Sequence, residues 1–340
     1  MKKKLKQIIV WLLANLPKGV YDCFIGCFSK DIYNKTLERR IKKFGNTLAN
    51  NPDKCYKKIR KFHRIMIIEE GSYPYTYFNI CYLNNILNLI LYSLYEGCIP
   101  VIRINEGKAN QNQWAWYFKQ PFEILTGQRD ILEKYTIIKC PIKDSLFRCS
   151  FEEGFYPYSE NFPIWSSLYK KFVVFNDQVE RYINKEKSEL LKEKTLGVLI
   201  RGTDYTALKP HGHPIQPELE DIMKYVKKWM YEKEYKNIYV ATEEKRLFDE
   251  VVECFGSDNV LSNRRTYYDE AYYSKGHQWI GEISFGREND EFLKGLEYLS
   301  SLSILSSCQG LVAGNCGGSL YAMLLAEKYE DIKVFNKGYY

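Results

Sequence analysis

The chain has 340 residues, of which 45% are hydrophobic and 27% are charged, so it can bury a large core and its length predicts two domains. It contains no Pro-rich, Gly/Ser-rich or single-residue tracts, which argues against long disordered segments. The net charge of +7 fits a protein that binds an anionic ligand or an anionic membrane surface. No RNP-like, zinc-finger or helix-turn-helix pattern accompanies the basic runs, so no nucleic-acid partner is expected.

The first residues of the chain are basic and are followed by a short apolar run, residues 8–16. Asn15 interrupts this run and no segment of transmembrane length follows, so neither a signal peptide nor a membrane span is predicted. A basic amphipathic helix is expected, lying either on the protein itself or on the inner face of a membrane. The ten cysteines include no CxxC pair and are too sparse for a disulfide scaffold, which predicts reduced thiols in a cytoplasmic protein.

The first strand is predicted at residues 65–68, where four apolar residues follow one another. The apolar segment 80–95 is too long for a strand and predicts a helix, with Gly97 placed to end it. A second strand at residues 100–104 completes a βαβ unit, which predicts a parallel sheet. The aromatic stretch 111–169 has little periodicity and is interpreted as loops and short helices beside a cleft.

A run of charged residues at 184–194 marks the predicted boundary between two domains, residues 1–185 and 186–340. In the second domain, strands are predicted at residues 196–200, 238–241, 260–261, 311–313 and 332–335. Helices alternate with these strands, one beginning at Pro217 and another capped by Thr242. This alternation predicts a doubly wound α/β sheet.

In an open parallel sheet, ligands bind beyond the carboxyl ends of the strands. Three polar loops of the second domain are expected at that place, at residues 201–205, 242–244 and 315–319. The Tyr-rich stretch 263–290 is long enough to be a lid or an acceptor loop. The carboxyl edge of this sheet is therefore the predicted ligand site.

The loop Asn315-Cys316-Gly317-Gly318-Ser319 lies between a predicted strand and a predicted helix. Its glycines let backbone N–H groups approach an anion at the positive end of the helix, which suits a diphosphate; a tight turn without a ligand has the same pattern. The loop lacks the GxGxxG and GxxxxGK[ST] patterns, which disfavours a nicotinamide enzyme or a P-loop ATPase.

Arg201 ends an apolar strand, where its charge would be costly without a partner. That partner is either a carboxylate, such as Asp204, or the oxygens of a phosphate group, which a guanidinium binds bidentately. The sequence has no DxD segment to hold a divalent ion, so no metal is expected. Arginine would then stabilise the charge of a leaving diphosphate.

Two histidines and two glutamates are further candidates. His211 and His213 have a spacing that can ligate a metal but lack an obvious third ligand, so His213 is expected to contact a nucleotide. Glu69 and Glu70 follow the first strand, and either is a candidate general base for an acceptor hydroxyl, with a solvated loop as the alternative. The next residue, Gly71, is a candidate for donor binding.

The segments Gly197–Tyr205, Gly212–Ile215 and Tyr239–Glu243 resemble the donor-binding lobe of the GDP-fucose-dependent superfamily. That superfamily includes α1,6-fucosyltransferases, the rhizobial nodulation fucosyltransferase and protein O-fucosyltransferases. Gly314–Ser319 is similar to its third motif, and the resemblance covers roughly residues 195–335. It implies a GT-B fold, with two Rossmann-like lobes and a cleft between them, and an inverting transfer without a metal.

The resemblance also implies roles for residues of this sequence. Arg201 would contact the donor phosphates. The other residues implied in donor binding are Asp204 and His213, Thr242 and Glu243 beside the nucleoside, and Asn315, Gly317, Gly318 and Ser319 near the phosphates. Leu199 stands where family members often carry a histidine that helps to hold the nucleotide, a difference that bears on the identity of the base.

The expected function is the transfer of fucose from GDP-fucose to a glycan or lipid-linked glycan in bacterial surface polysaccharide synthesis. The nucleotide sugar is a substrate, and no cofactor is expected. The expected location is the cytoplasm or the inner face of the membrane. Three alternatives stay open: transfer from another nucleotide sugar, a non-catalytic subunit that binds a nucleotide sugar, and a peripheral scaffold of envelope assembly.

Overall fold

A computed structural model of the chain describes residues 2–52, 57, 63–69, 80–104, 112–122, 135–141, 162–269, 281 and 283–340. It opens with three helices, α1 (Lys2–Asn15), α2 (Lys18–Phe24) and α3 (Lys30–Asn50). A parallel sheet follows in the order β2-β1-β3, formed by β1 (Arg64–Ile68), β2 (Ile99–Ile102) and β3 (Thr136–Lys139). Within the described ranges, no helix combines the length and the apolarity needed to cross a membrane.

Helix α4 (Ile80–Tyr95) joins β1 to β2, as its long apolar segment predicts. Gly97 has a positive φ of 73° just beyond the helix, so the predicted left-handed residue is confirmed. Within the described ranges, three further helices precede the second sheet: α5 (Gln113–Tyr117), α6 (Phe162–Phe172) and α7 (Asp177–Leu190). Together with β1 and β2, α4 confirms the predicted βαβ unit.

The second sheet has five parallel strands in the order β6-β5-β4-β7-β8. They are β4 (Thr195–Leu199), β5 (Asn237–Ala241), β6 (Val260–Leu261), β7 (Gly310–Gly314) and β8 (Asp331–Phe335). The helices of this part are α8 (Asp204–Leu208), α9 (Leu219–Glu232), α10 (Lys245–Phe255), α11 (Asp290–Leu305) and α12 (Gly317–Leu325). Two parallel sheets with intervening helices confirm the predicted α/β class.

Strand β4 is buried on both faces because helices cover both sides of the sheet. Leu196 and Val198 pack with Val226 of α9 and Val251 of α10 on one face. Leu199 belongs to the core on the opposite face, with residues of α11 and α12. The alternation follows the two-residue period of a strand, and helices on both faces confirm the doubly wound prediction.

The two sheets are joined by one continuous apolar core, to which α4, α6, α11 and α12 all contribute. Polar contacts supplement it: Ser166 Oγ donates to Leu324 O at 2.6 Å, and Tyr117 Oη donates to Phe292 O at 2.9 Å. Both hydrogen bonds link helices from the first 190 residues to helices that pack on the second sheet. Helix α7 passes through the predicted domain boundary at residues 185/186, and that division stays a prediction.

Three local expectations differ from the structure. Helix α9 begins at Leu219 and not at Pro217, because Glu218 is still extended at ψ 147°. The N-cap of α10 is Glu244; Thr242 Oγ1 instead accepts a bond from Glu244 N at 3.3 Å, which forms the turn before the helix. The aromatic stretch contains strand β3, whose side chains are mostly exposed and whose sequence therefore lacks a buried strand's apolar run.

Candidate functional site

The carboxyl ends of β5, β4 and β7 lie side by side, because Leu199 is in register with Ala241 on one side and Ala313 on the other. Arg201 follows β4, Thr242 follows β5 and Asn315 follows β7. The structure thus brings together the three polar loops predicted from the sequence. The order of the strands reverses at β4, which creates the kind of switch point where open α/β sheets bind ligands.

Arg201 forms an ion pair with Glu243 across the top of β4 and β5. The side chains are 16% and 12% exposed, so water reaches the pair but does not surround it. The sequence had suggested Asp204 as a carboxylate partner; the side chain of Asp204 lies outside the described part of the structure. Pairing with Glu243 places the proposed phosphate-binding guanidinium next to the residue implied at the nucleoside.

A buried carboxylate supports the turn that carries Arg201. Glu244 Oε2 accepts a bond from Thr203 N at 3.0 Å, and Glu244 Oε1 is paired with Arg246 at 3.0 Å. Thr203 is itself buried with a φ of 59°, a conformation that β-branched residues rarely adopt. Gly202 lies directly beneath the carboxylate, where any Cβ would overlap with Glu244 Oε2. The turn is therefore held by its surroundings and not by its local preference.

The glycine loop begins α12 and is closed by a capping box. Cys316 N donates to Ser319 Oγ at 3.0 Å, while the Cys316 side chain accepts from the Ser319 backbone. Burial raises the pKa of the Cys316 thiol, against the opposing effect of the Ser319 N–H and the charge of Arg201. Arg201 therefore lies near the positive end of α12. Ser319 is fully buried in the cap, whereas Gly317 is half-buried at the start of the helix.

Gly318 fits closely against the core beneath the site. A Cβ at this position would lie 3.1 Å from Leu199 Cδ1 and 3.2 Å from Leu302 Cδ2. Leu199 is thus packed under the glycine loop and supplies no polar group to a ligand. This leucine, which stands where the superfamily that the sequence resembles often has a histidine, contacts the loop through apolar atoms only.

Gln216 links the glycine loop to the loop that contains His213. Its Nε2 donates to Asn315 O at 2.9 Å and to Pro214 O at 3.0 Å. Gln216 Oε1 and Asn315 Nδ2 are buried polar atoms that have no hydrogen-bond partner among the described residues. Since such atoms are costly to bury unpaired, the Asn315 amide is available to a ligand at this place.

The backbone around His213 pairs with residues 338–340. Gly212 N donates to Tyr340 O at 3.1 Å, Tyr340 N donates to His213 O at 3.1 Å, and Ile215 N donates to Gly338 O at 2.9 Å. These bonds hold the loop on one side and Gln216 holds it on the other. His213 is half-buried within this loop, next to the Asn315 side of the site.

A second arginine lies on the β6 side of the same edge. Tyr268 N donates to Glu243 O at 2.8 Å, which ties the segment after β6 to the loop after β5. Burial and the charge of Glu243 raise the pKa of the Tyr268 hydroxyl, while the charge of Arg265 acts in the opposite sense. Arg265 has a buried Nε without a partner and forms no ion pair within the described ranges. It is a cationic group on the segment that the bond between Tyr268 and Glu243 ties to the loop after β5.

The candidates in the first sheet are described only in part. Glu69 follows β1 and forms an exposed ion pair with Lys139 at 3.0 Å. Glu70 and Gly71 lie outside the described residues. Among the described residues, no group of three or more His, Cys, Asp or Glu side chains is arranged to hold a metal ion.

Gln216 was not predicted from the sequence, whereas Glu244 and Arg265 lie in the predicted segments 242–244 and 263–290 but were given no role of their own there. Glu244 follows Glu243 directly, and only the structure shows that one carboxylate faces Arg201 while the other is buried against Thr203. Gln216 lies just before a proline in an apparently ordinary loop. Arg265 belongs to no recognisable sequence motif. What distinguishes it is its buried Nε without a hydrogen-bond partner among the described residues, and this can be seen only in the structure.

The fold and the site define an α/β protein with polar and charged loops at the carboxyl edge of its five-stranded sheet. No family model and no curated protein matches the chain. In fold it is similar to several fucosyltransferases. NodZ from Bradyrhizobium is 12% identical, with 77% of this chain and 93% of that chain covered and a TM-score of 0.44. POFUT1 in complex with GDP-fucose is 10% identical, with 80% and 98% covered and a TM-score of 0.48. A variant of Arabidopsis thaliana FUT1 in complex with GDP is 11% identical, with 90% and 78% covered and a TM-score of 0.45.

Proposed function

We propose that the chain is a glycosyltransferase of the GT-B type that transfers fucose from GDP-fucose with inversion and without a metal. One observation carries this proposal: Arg201, Glu243 and the Asn315–Ser319 loop meet at the switch point of the second sheet. These are also the residues whose sequence resembles the donor-binding motifs of GDP-fucose-dependent enzymes. The site offers a guanidinium, a helix N-terminus and an unpaired amide to the diphosphate.

In the proposed reaction, an acceptor hydroxyl attacks the anomeric carbon of the sugar as the bond from that carbon to the β-phosphate oxygen breaks. The hydroxyl proton passes to a carboxylate base, for which Glu69 and Glu70 are the candidates, and the bonding electrons leave with GDP. Arg201 and the positive end of α12 stabilise the charge that develops on the diphosphate. The acceptor side of the site is assigned to the first domain.

The nucleoside is placed on the β5 side of Arg201. Glu243 offers a carboxylate there, which accepts hydrogen bonds, and Arg265 offers donors from the segment that is bonded to the Glu243 backbone through Tyr268. Guanine presents donors at N1 and N2 and acceptors at O6 and N7, so the two side chains together match its edges. Thr242 is buried beneath them and shapes the turn.

The proposed acceptor is a glycan or lipid-linked glycan of surface polysaccharide synthesis. A second candidate function is a subunit that binds the nucleotide sugar without turning it over. It is favoured by the exposed pairing of Glu69 with Lys139, which leaves that carboxylate poorly placed as a base. An assay for GDP release with and without a glycan acceptor distinguishes the two, because the binding subunit releases none.

GDP is expected to stabilise the protein in the presence of EDTA, because the proposed site holds the diphosphate with protein groups alone. At one hundred times the dissociation constant, the gain in unfolding free energy is about 2.7 kcal/mol, which a thermal melt detects as a clear rise in Tm. UDP and CMP serve as matched ligands and should give little rise. A response to UDP compounds only, or a response that requires a divalent ion, would contradict the proposal.

Gln216→Glu is expected to weaken GDP binding roughly tenfold or more, because two hydrogen bonds that fix the loops are replaced by repulsion between oxygens. Calorimetric titration with GDP measures the effect. Gln309 provides the control, since its amide accepts from Thr195 N at 2.8 Å at the opposite end of the sheet. Gln309→Glu should leave GDP affinity unchanged; equal losses in both variants would show that Gln216 acts through general stability only.

A further inference from the structure

Helix α1 carries apolar side chains that the protein does not cover. Leu5 is 59% exposed, Ile8 55%, Trp11 59% and Leu12 53%. They recur at three- and four-residue intervals and so lie on one side of the helix. In the next helix, α2, Val20 and Phe24 are also exposed, four residues apart. A group of this size is unusual on a soluble surface and marks a place of contact.

The opposite side of α1 is fixed to the rest of the protein. Val10 and Leu13 are buried, and Leu13 packs in a small core with Tyr21 and Ile25. Arg40 of α3 is 7% exposed and donates from its Nη1 to Leu13 O at 3.1 Å and to Leu16 O at 2.7 Å. Arg40 thereby satisfies carbonyls at the end of α1. The exposed side is consequently a preformed surface, held in one orientation by contacts behind it.

The charge around this surface is positive. Helix α1 contains Lys2, Lys3, Lys4 and Lys6 and no acidic residue. Lys6 is paired with Asp31, while Lys43 lies beside the end of the helix and donates to Asn15 Oδ1 at 3.3 Å. An apolar strip with lysines at one end matches a surface that is both apolar and anionic.

We propose that this side of α1 is a docking surface for the anionic face of a lipid bilayer. The helix would lie in the plane of the interface, with its apolar side chains among the acyl chains and its lysines at the headgroups. A second copy of the chain fits less well, because its α1 has the same lysines and no acidic residue, and so offers this surface no anionic partner. The proposal concerns where the protein binds and is independent of the nucleotide it uses.

Flotation with lipid vesicles tests the surface. The full chain should bind vesicles of phosphatidylcholine with 30% phosphatidylglycerol, bind much less to pure phosphatidylcholine, and lose binding as salt is raised. A lysine at the interface contributes about fivefold to partitioning, so Lys3→Gln/Lys4→Gln should bind about 25-fold less tightly. Trp11→Ser/Leu12→Ser should lose at least about tenfold, because two apolar side chains no longer insert.

Matched controls lie on α9, in the other part of the molecule. Lys224→Gln/Lys228→Gln removes two exposed lysines, and Tyr231→Ser removes an aromatic ring that is 88% exposed. Neither variant should change vesicle binding. Melting temperature confirms that each variant is folded, and the response to GDP is followed separately.

Three results would overturn the proposal. One is equal binding to neutral and anionic vesicles. The second is binding that survives in Trp11→Ser/Leu12→Ser while the α9 controls reduce it. The third is a dimer in light scattering that the α1 variants dissociate, with no vesicle binding by the original chain. If the original chain binds vesicles as expected but does not bind GDP, that result would count against the proposed enzyme and not against the docking surface.

Discussion

Arg201→Lys is expected to fold as the original chain does and to lose turnover by about a hundredfold or more. Lysine keeps the charge, and with it an attraction to Glu243, but it lacks the planar fork that binds two phosphate oxygens at once. The lost contact is one made to charge that develops as the diphosphate leaves, so the loss falls mainly on kcat. Steady-state assay of GDP release, with Tm measured on the same preparations, checks this.

Arg201→Ala should lose more turnover than Arg201→Lys, and it should also lose stability. It leaves the carboxylate of Glu243 largely buried without its partner, which costs up to about 3 kcal/mol of unfolding free energy, and it weakens GDP binding. Arg246→Lys is the matched control, because Arg246 pairs with the neighbouring Glu244 but is mostly exposed. Its turnover should be nearly normal. A stable Arg201→Lys variant with near-normal turnover would mean that this arginine is a structural ion-pair partner and not the diphosphate ligand.

Gly202→Ala should lower the unfolding free energy by about 2–3 kcal/mol and abolish measurable GDP binding. The new Cβ would overlap with Glu244 Oε2 and lie 2.6 Å from Leu247 Cδ1. Glu244 cannot simply turn away, because its carboxylate is bonded to Thr203 N and to Arg246. The turn must shift instead, and it carries Arg201 with it. Chemical denaturation and calorimetric titration measure the two effects.

Two further variants test the cause of that loss. Gly19→Ala provides the control, since a Cβ there meets no atom within 4 Å and the helix should gain slightly in stability. If the clash with the carboxylate is responsible, Gly202→Ala combined with Glu244→Ala should be more stable than the sum of the single losses. Strict additivity would place the cause elsewhere.

The strands and most helices of the second sheet could be predicted because each is marked locally. Apolar runs such as residues 196–200 and 238–241 end at polar residues, and their observed bounds differ by one residue at most from the prediction. Gly256 ends α10 with a φ of 83°, a conformation that glycine adopts without strain. That the three polar loops share one edge follows from parallel pairing alone.

The partners within the site could not be predicted in the same way. Arg201 and Glu243 are brought together by the pairing of β4 with β5, and several carboxylates nearby in sequence were equally plausible partners. Ser319 follows two glycines at the start of a helix, a position typical of phosphate ligands. Its hydroxyl is instead hydrogen-bonded to the Cys316 backbone within the capping box. Strand β3 was missed because it lies at an edge and is largely exposed, so it lacks an apolar run.

The position of β4 between two pairs of strands has a consequence for how such a site can diversify. The residues proposed to bind the nucleobase, Glu243 and Arg265, follow β5 and β6. The glycine loop follows β7, on the other side of β4. Leu199 packs beneath the glycine loop. Glu243 is also the ion-pair partner of Arg201, so a substitution at Glu243 would change both the proposed recognition of the nucleobase and the proposed contact with the diphosphate. Nucleobase selectivity and diphosphate affinity would then change together through this ion pair and would not evolve as separable traits.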